Sequence, residues 1–171
     1  MIFGNYMDYS ENETLARVYV STDNVRVPVN ISLDEGSDVT LREGDLCDAV
    51  LWSNDYDVQI FASDEEYRKA DTQMAPVSMI PMGTFPANPD QKDFQQNAMI
   101  LFTGFVRAVE RNPEPEDDAP IYRIRIETYA LSFDLYYFED ELVQPGYLVH
   151  GQVWLYGAVR RKTATESQAA D

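Results

Sequence analysis

The segment IYRIRIETYALSFDLYYF (121–138) carries two β-strand patterns that are out of phase with each other. Apolar residues occupy even positions up to Ile126 and odd positions from Leu131. Because side chains of a strand alternate between two faces, a single straight strand would place half of these residues in water. A bulge or a tight turn at 128–130 must therefore absorb one residue, and such a feature bends a sheet sharply.

The preceding strand, AMILFTGFVRAVER (98–111), has Gly104 at its centre and apolar residues on both sides of it. A glycine inside a strand that is covered on both faces indicates tight coiling or the close approach of another backbone. Gly151 and Gly157, within the strand 148–160, are candidates for the same role. The alternative is that these glycines only mark strand ends.

The first half of the chain also predicts strands. TLARVYVS (14–21) and VRVPVNISL (25–33) alternate apolar with polar residues and are separated by turn residues, which is typical of a hairpin. Pro28 cannot donate a ladder hydrogen bond, so it indicates an edge strand or a bulge. Two further strands are expected at about 46–52 and 56–62.

One helix is expected after these strands. Ser63 and Glu66 have the spacing of a capping box, acidic residues fill the first turn and basic residues follow. The pattern predicts one short helix near 64–74, and Pro76 prevents its continuation.

Together these elements predict a mainly β fold, in which a strongly bent antiparallel sheet forms an OB-like barrel or a two-sheet sandwich. We expect a single β-rich domain over 1–160, with a proline-rich connector at 76–97 and a disordered tail at 161–171. The element order of 98–160 resembles the small barrels of the OB (oligonucleotide/oligosaccharide-binding) fold, and QPGYLVHGQVWLYG (144–157) is similar to their closing strand. The helix precedes this block instead of lying between its third and fourth strands, which leaves a different barrel or a sandwich open.

The charge of the chain restricts its partners. With 30 acidic and 13 basic residues among 171, the formal net charge is −17. Such a field repels phosphate backbones and anionic lipids, so it disfavours binding to nucleic acid or to a membrane surface. It serves solubility, or it attracts a basic partner.

The cysteine content and the N-terminus indicate a cytoplasmic protein. Cys47 is the only cysteine, which excludes an intrachain disulfide. Residues 1–13 contain no basic residue and no apolar run of the kind found in signal sequences, and they are expected to be weakly ordered. No window approaches the roughly 20 apolar residues of a membrane span.

Residues that could perform catalysis are scarce. His150 is the only histidine, and its place in an apolar strand favours a structural role. Cys47 has no basic neighbour in sequence that would lower its pKa. One histidine and one cysteine cannot build a common zinc site, and phosphate-binding glycine motifs are absent from the sequence. We therefore expect no catalytic residue, no metal and no cofactor, and we expect that the protein is not an enzyme.

Aromatic residues are the best candidates for a binding site. Tyr136, Tyr137 and Phe138 follow one another, while Trp154 and Tyr156 share one face of the last strand. Alternation requires that at least one of the two adjacent tyrosines points away from the main core. An exposed aromatic patch would suit a protein partner or a flat ligand, unless a second layer of structure covers it.

Two functions remain open. The leading hypothesis is a non-catalytic, acidic binding protein that engages a basic protein or peptide. The alternative is an OB-like barrel that binds a small ligand, an oligosaccharide or a single-stranded nucleic acid. That alternative requires exposed aromatic residues beside arginines, for which Arg123 and Arg125 are candidates.

Overall fold

The computed structural model of the protein describes residues 1–22, 25–55, 57–70, 74–86, 90 and 93–162. They form a mainly β structure with one short helix, which confirms the predicted fold class. The elements are β1 (Ile2–Ser10), β2 (Glu13–Ser21), β3 (Arg26–Leu33), β4 (Cys47–Asn54), β5 (Asp57–Phe61), α1 (Asp64–Lys69), β6 (Ser78–Ile80), β7 (Met99–Arg111), β8 (Tyr122–Glu127), β9 (Ser132–Tyr137), β10 (Leu148–Trp154) and β11 (Tyr156–Arg161). Across the described residues no helix has the length and apolar character needed to cross a membrane.

All eleven strands belong to one sheet, whose order is β1-β2-β3-β11-β4-β9-β8-β7-β10-β5, with β6 beside β7. The sheet is not closed, since β1 and β5 are its terminal strands. Most neighbours are antiparallel, as predicted, but β3 pairs with β11 and β4 with β9 in parallel. Both parallel pairs join strands that are distant in the sequence, so no hairpin pattern indicates them.

The sheet is strongly bent because two pairs of consecutive strands, β4–β5 and β10–β11, each contribute to two different regions of the sheet. β4 is followed in the chain by β5, and β10 continues into β11 after the single residue Leu155. β4 pairs with β11, whereas β5 pairs with β10. These four strands therefore form one two-stranded ribbon. In the sheet order, β9, β8 and β7 lie between β4 and β10, so they connect the two ends of this ribbon. We call the side that faces the enclosed core the inner face, and the opposite side the outer face.

The core fills the inner face. Phe102 and Phe133 are fully buried there, and their rings meet edge to face at 5.1 Å. The change of phase between β8 and β9 is absorbed by a tight turn, in which the Thr128 N–H donates to the Leu131 carbonyl at 2.9 Å. This turn confirms the prediction that 128–130 takes up the extra residue, and it returns both strands to the core with their apolar sides inward.

Gly104 and Gly151 lie where a neighbouring backbone comes very close, as the sequence indicates. A Cβ atom on Gly104 would be 2.6 Å from the carbonyl oxygen of Glu127, and one on Gly151 would be 2.1 Å from that of Asp57. Any other residue would clash there. The register of β7 also shifts between residues 106 and 108, and such irregularities increase the bend of a strand.

The helix is shorter than predicted. Ser63 caps its first turn as expected, but the helix ends at Lys69 instead of extending over 64–74. Only Tyr67 among its side chains is buried, so tertiary packing supports little more than one turn. Residues 71–73 of the predicted helix lie outside the described part of the chain.

The two ends of the domain also differ from expectation. Residues 1–13 are not weakly ordered, because β1 pairs with β2 along most of its length. Arg161, predicted to begin the disordered tail, is the last residue of β11 and pairs with Cys47. The remainder of the predicted tail, 163–171, lies outside the described residues.

The predicted hairpin of 14–21 and 25–33 is confirmed as β2 and β3. Pro28 pairs with β2, but β11 reaches β3 only at Ser32 and Leu33, so the other edge of Pro28 has no ladder partner among the described strands. The proline-rich connector contains β6 and is held by Asn30, whose side-chain amide donates to the carbonyls of Gly83 at 3.1 Å and Asn97 at 3.0 Å.

Candidate functional site

Three aromatic side chains lie together on the outer face where β11, β4 and β9 run side by side. Register places Tyr156 opposite Trp52 and places Tyr136 opposite the next outward residue of β4, Asn54. The Trp52 and Tyr156 rings stack at 4.5 Å with an interplanar angle of 17°, and Tyr136 meets Trp52 edge-on at 5.9 Å. All three are half-buried, so each ring keeps part of its surface in solvent. We call this group the aromatic strip.

One end of the aromatic strip is acidic. The indole N–H of Trp52 donates to a carboxylate oxygen of Asp34 at 3.0 Å, which fixes the plane of the ring. Burial, together with the nearby negative charge of Glu13, raises the pKa of Tyr156. A cation that approached these rings would therefore meet an electron-rich aromatic surface with two carboxylates nearby.

The other end of the aromatic strip carries two arginines fixed by one buried carboxylate. Asp134, only 4% exposed, accepts hydrogen bonds from Arg123 Nε at 2.9 Å and Nη2 at 2.6 Å, and it pairs with Arg125 Nε at 2.9 Å. Hydrogen bonding to Asp134 raises the pKa of Arg123. Arg123 lies opposite Tyr136 in the ladder, and a concavity of about 310 Å³ opens beside both of them.

The predicted binding residues are thus divided. Tyr136 and Tyr156 join the aromatic strip with Arg123 and Arg125 beside them. Tyr137 points to the inner face, where burial and its hydrogen bond to the Glu141 carboxylate raise its pKa. The prediction that one of the two adjacent tyrosines faces away from the core is confirmed.

Phe138 and Trp154 lie outside the aromatic strip. Phe138 is half-buried, and its backbone N–H donates to the Asp55 carboxylate at 3.1 Å. Trp154 lies beyond the bend at Leu155, where its ring contacts that of Tyr9 at 5.2 Å. It lines a separate cavity that it shares with Tyr156.

Trp52 is the member of the aromatic strip that the sequence analysis missed. It ends the apolar run AVLW, which is typical of a fully buried strand. The alternation that would have identified it is visible in β4, where Asp48, Val50 and Asn54 share its parity and are exposed.

Cys47 and His150, the two residues considered for catalysis, both lie in surroundings that favour a structural role. Cys47 is buried, and this burial raises the pKa of its thiol. His150 is half-buried, and its Nδ1 lies 2.9 Å from the hydroxyl of Thr103, which in turn lies 3.0 Å from the Tyr67 hydroxyl. Since Tyr67 donates its proton to the carbonyl of Met74, Thr103 donates to Tyr67 and accepts from His150. This series of hydrogen bonds connects α1 to the outer face of β7 and β10.

We find no metal-binding site in the part of the chain that the structure describes. No group of three or more His, Cys, Asp or Glu side chains there is arranged to hold an ion. That the protein holds no metal and no cofactor stays a prediction.

Comparison of the chain with protein-family models, with curated protein sequences and with solved structures gives no match. We therefore infer a function from the geometry of the aromatic strip and its surroundings.

Proposed function

We propose that this chain is a non-catalytic binding protein whose aromatic strip docks a basic segment of a protein or peptide. The observation that carries the proposal is the stacked pair of Trp52 and Tyr156, which are partly exposed beside the carboxylate of Asp34. Aromatic faces attract the cations of lysine and arginine, and the aliphatic stems of these residues pack against the rings. The acidic end of the aromatic strip adds a direct charge attraction.

The charge of the whole protein supports the same kind of partner. A formal net charge of −17 draws cationic segments toward the protein and repels anionic ones. The fixed ring of Trp52 and the fixed arginine pair limit the conformational entropy lost on binding. We place this function in the cytoplasm, in agreement with the single buried cysteine.

A second candidate function is a ligand-binding curved sheet of the OB kind. Arg123 beside Tyr136, next to a concavity, is a combination that could stack and neutralise a segment of single-stranded nucleic acid or hold an oligosaccharide. The carboxylates Asp134 and Glu110 contact the same guanidinium, however, so little positive charge is left for a phosphate. This balance is the reason that we rank the basic partner first.

A titration tests the two candidates together. In a Trp154→Phe variant, Trp52 is the only tryptophan, and its fluorescence reports on the aromatic strip. We expect a short arginine-rich peptide to change this emission saturably, with an affinity that falls as salt rises. Oligothymidylate and a neutral oligosaccharide should leave it unchanged. If the peptide leaves the emission unchanged while oligothymidylate or the oligosaccharide changes it, the second candidate is supported and the first is wrong.

A pair of matched substitutions locates the binding. Tyr136→Ser removes one ring of the aromatic strip, whereas Tyr129→Ser removes an exposed tyrosine, 60% accessible, in the turn between β8 and β9. Loss of one exposed cation–π contact should weaken peptide binding about two- to fivefold in the first variant. The second variant should bind like the wild type. Equal affinities for the two variants would place the peptide elsewhere.

A further inference from the structure

The ribbon of β4–β5 and β10–β11 has a break in its pairing. The β4–β11 ladder ends at Trp52 and Tyr156, and the β5–β10 ladder begins at Asp57 and Gln152. Between these points the Ser53 hydroxyl donates to the carbonyl of Trp154 at 2.8 Å. The two stretches of chain therefore stay connected through a side chain while their backbones separate.

A cavity opens at this break. Its volume is about 460 Å³, which is within the range of roughly 300–1,000 Å³ typical of small-molecule sites. Trp154, Tyr156 and Met99 provide apolar walls, and Ser53 and Asn54 add a hydroxyl and an amide. No charged side chain lines it among the described residues, so the cavity has the composition of a site for a neutral molecule.

Trp154, which lines the cavity, contains a buried polar group without a partner. Among the described residues, the indole nitrogen of Trp154 is the only buried side-chain polar atom that lacks a hydrogen-bond partner. Buried donors are nearly always paired in folded proteins, so an unpaired one requires an explanation. The nitrogen itself is buried, so an acceptor on a molecule bound against this half-buried side chain would become its partner only once the indole rotates toward the cavity.

We propose that this cavity binds one neutral sugar ring. A pyranose has C–H faces that pack against Trp154 and Tyr156 and a rim of hydroxyls that can pair with Asn54 and the indole N–H. An anion or a cation would find no counter-charge in the lining and would lose its hydration. A flat aromatic molecule would fill the apolar space but leave the indole N–H unpaired.

This site is distinct from the surface proposed for the basic partner. The two share only Tyr156, and the sugar contacts Met99 and Asn54 instead of Trp52 and Tyr136. The proposal therefore stands if the aromatic strip binds no peptide, and it fails independently of that function.

The indole N–H signals in an NMR spectrum test the proposal directly. The protein has two tryptophans, and a Trp52→Phe variant assigns the two signals. Titration with the methyl glycopyranosides of glucose, galactose and mannose should shift the Trp154 signal saturably for at least one of them. The Trp52 signal should stay in place, because that indole already donates to Asp34.

Three variants define the location. Met99→Trp fills the cavity from β7, and Asn54→Leu removes the amide from an exposed position of β4; each should weaken the sugar about tenfold or more, equivalent to about 1.4 kcal/mol. Val50→Gln, on the same exposed face of β4 but outside the cavity lining, should leave the affinity unchanged. If Met99→Trp does not fold, Asn54→Leu still gives the comparison.

Three results would overturn the proposal. The first is a Trp154 signal that no sugar shifts. The second is a signal that benzyl alcohol shifts and all three sugars leave unchanged, which would indicate an aromatic ligand. The third is a sugar-induced shift that Asn54→Leu and Met99→Trp both leave intact.

Discussion

The Asp134 carboxylate allows a quantitative test of how the aromatic strip is held. Asp134→Asn keeps the shape of the side chain but places an NH₂ group opposite a guanidinium. In the wild-type protein, the Asp134 carboxylate lies 2.6–2.9 Å from guanidinium nitrogens of Arg123 and Arg125, and its side chain is only 6% exposed. Hydrogen bonds to charged groups typically contribute about 1.5–3 kcal/mol each.

The expected cost is smaller than a sum of these contacts. The side chains of Arg123 and Arg125 are 49% and 43% exposed, so water recovers part of their solvation when the carboxylate is lost. The amide of the variant also keeps one acceptor oxygen. We therefore expect Asp134→Asn to lower the free energy of unfolding by about 2 kcal/mol, near the lower end of the range for one charged hydrogen bond.

A matched control separates burial from charge. Glu127 pairs with Arg107 at 2.7 Å in the same part of the sheet, but both side chains are about half exposed, at 48% and 52%. Exposed ion pairs contribute about 0–1 kcal/mol, so Glu127→Gln should change stability little. Urea denaturation with linear extrapolation measures both variants. Equal losses for Asp134→Asn and Glu127→Gln would refute the argument that the buried carboxylate organises the arginines.

Three further predictions concern the fold. Gly151→Ala would place its Cβ 2.1 Å from the carbonyl oxygen of Asp57, so we expect a loss of about 1–3 kcal/mol in urea denaturation, and an unchanged midpoint would contradict the close approach. Thr103→Val removes the buried hydroxyl that bonds Tyr67, and it should cost about 1–3 kcal/mol and speed hydrogen exchange in α1; exchange like the wild type would show that this hydroxyl does not hold the helix. Burial raises the pKa of the Asp55 carboxyl above its unfolded value, so its charged form disfavours the folded state at neutral pH. Asp55→Asn should therefore be more stable than the wild type at pH 7, with the difference disappearing below about pH 4, where the unfolded carboxyl is also protonated; a variant less stable than the wild type at pH 7 would reverse this sign.

Local chemistry in the sequence predicts the bends of the sheet well. The change of phase between Ile126 and Leu131 requires a turn, and the turn at Thr128 has this role. Gly104 allows the Glu127 backbone to come close. A glycine between apolar residues in a strand covered on both faces already indicates such an approach. These features depend on residues adjacent in the chain, so a single sequence contains them.

Pairings between distant strands are not predictable in this way. The aromatic strip exists because β4 lies between β9 and β11, and β4–β9 is a parallel pair without a connecting hairpin. Trp52 therefore looks like a core residue in the sequence, although it lies on the outer face of the sheet and is only partly buried. Tyr136 could be assigned outward from the parity of β9, but its partners could not be named from the sequence.

The central claim, that the aromatic strip is a binding surface for basic segments, is tested most directly by mapping a bound peptide. Backbone amide signals recorded during titration with an arginine-rich peptide should shift at Trp52, Tyr136 and Tyr156 and along the adjoining parts of β4, β9 and β11. The signals of α1 and of the start of β1, which pairs with the end of β2 remote from Glu13, should stay in place. Shifts confined to α1 or to the start of β1, with the aromatic strip unchanged, would contradict the account.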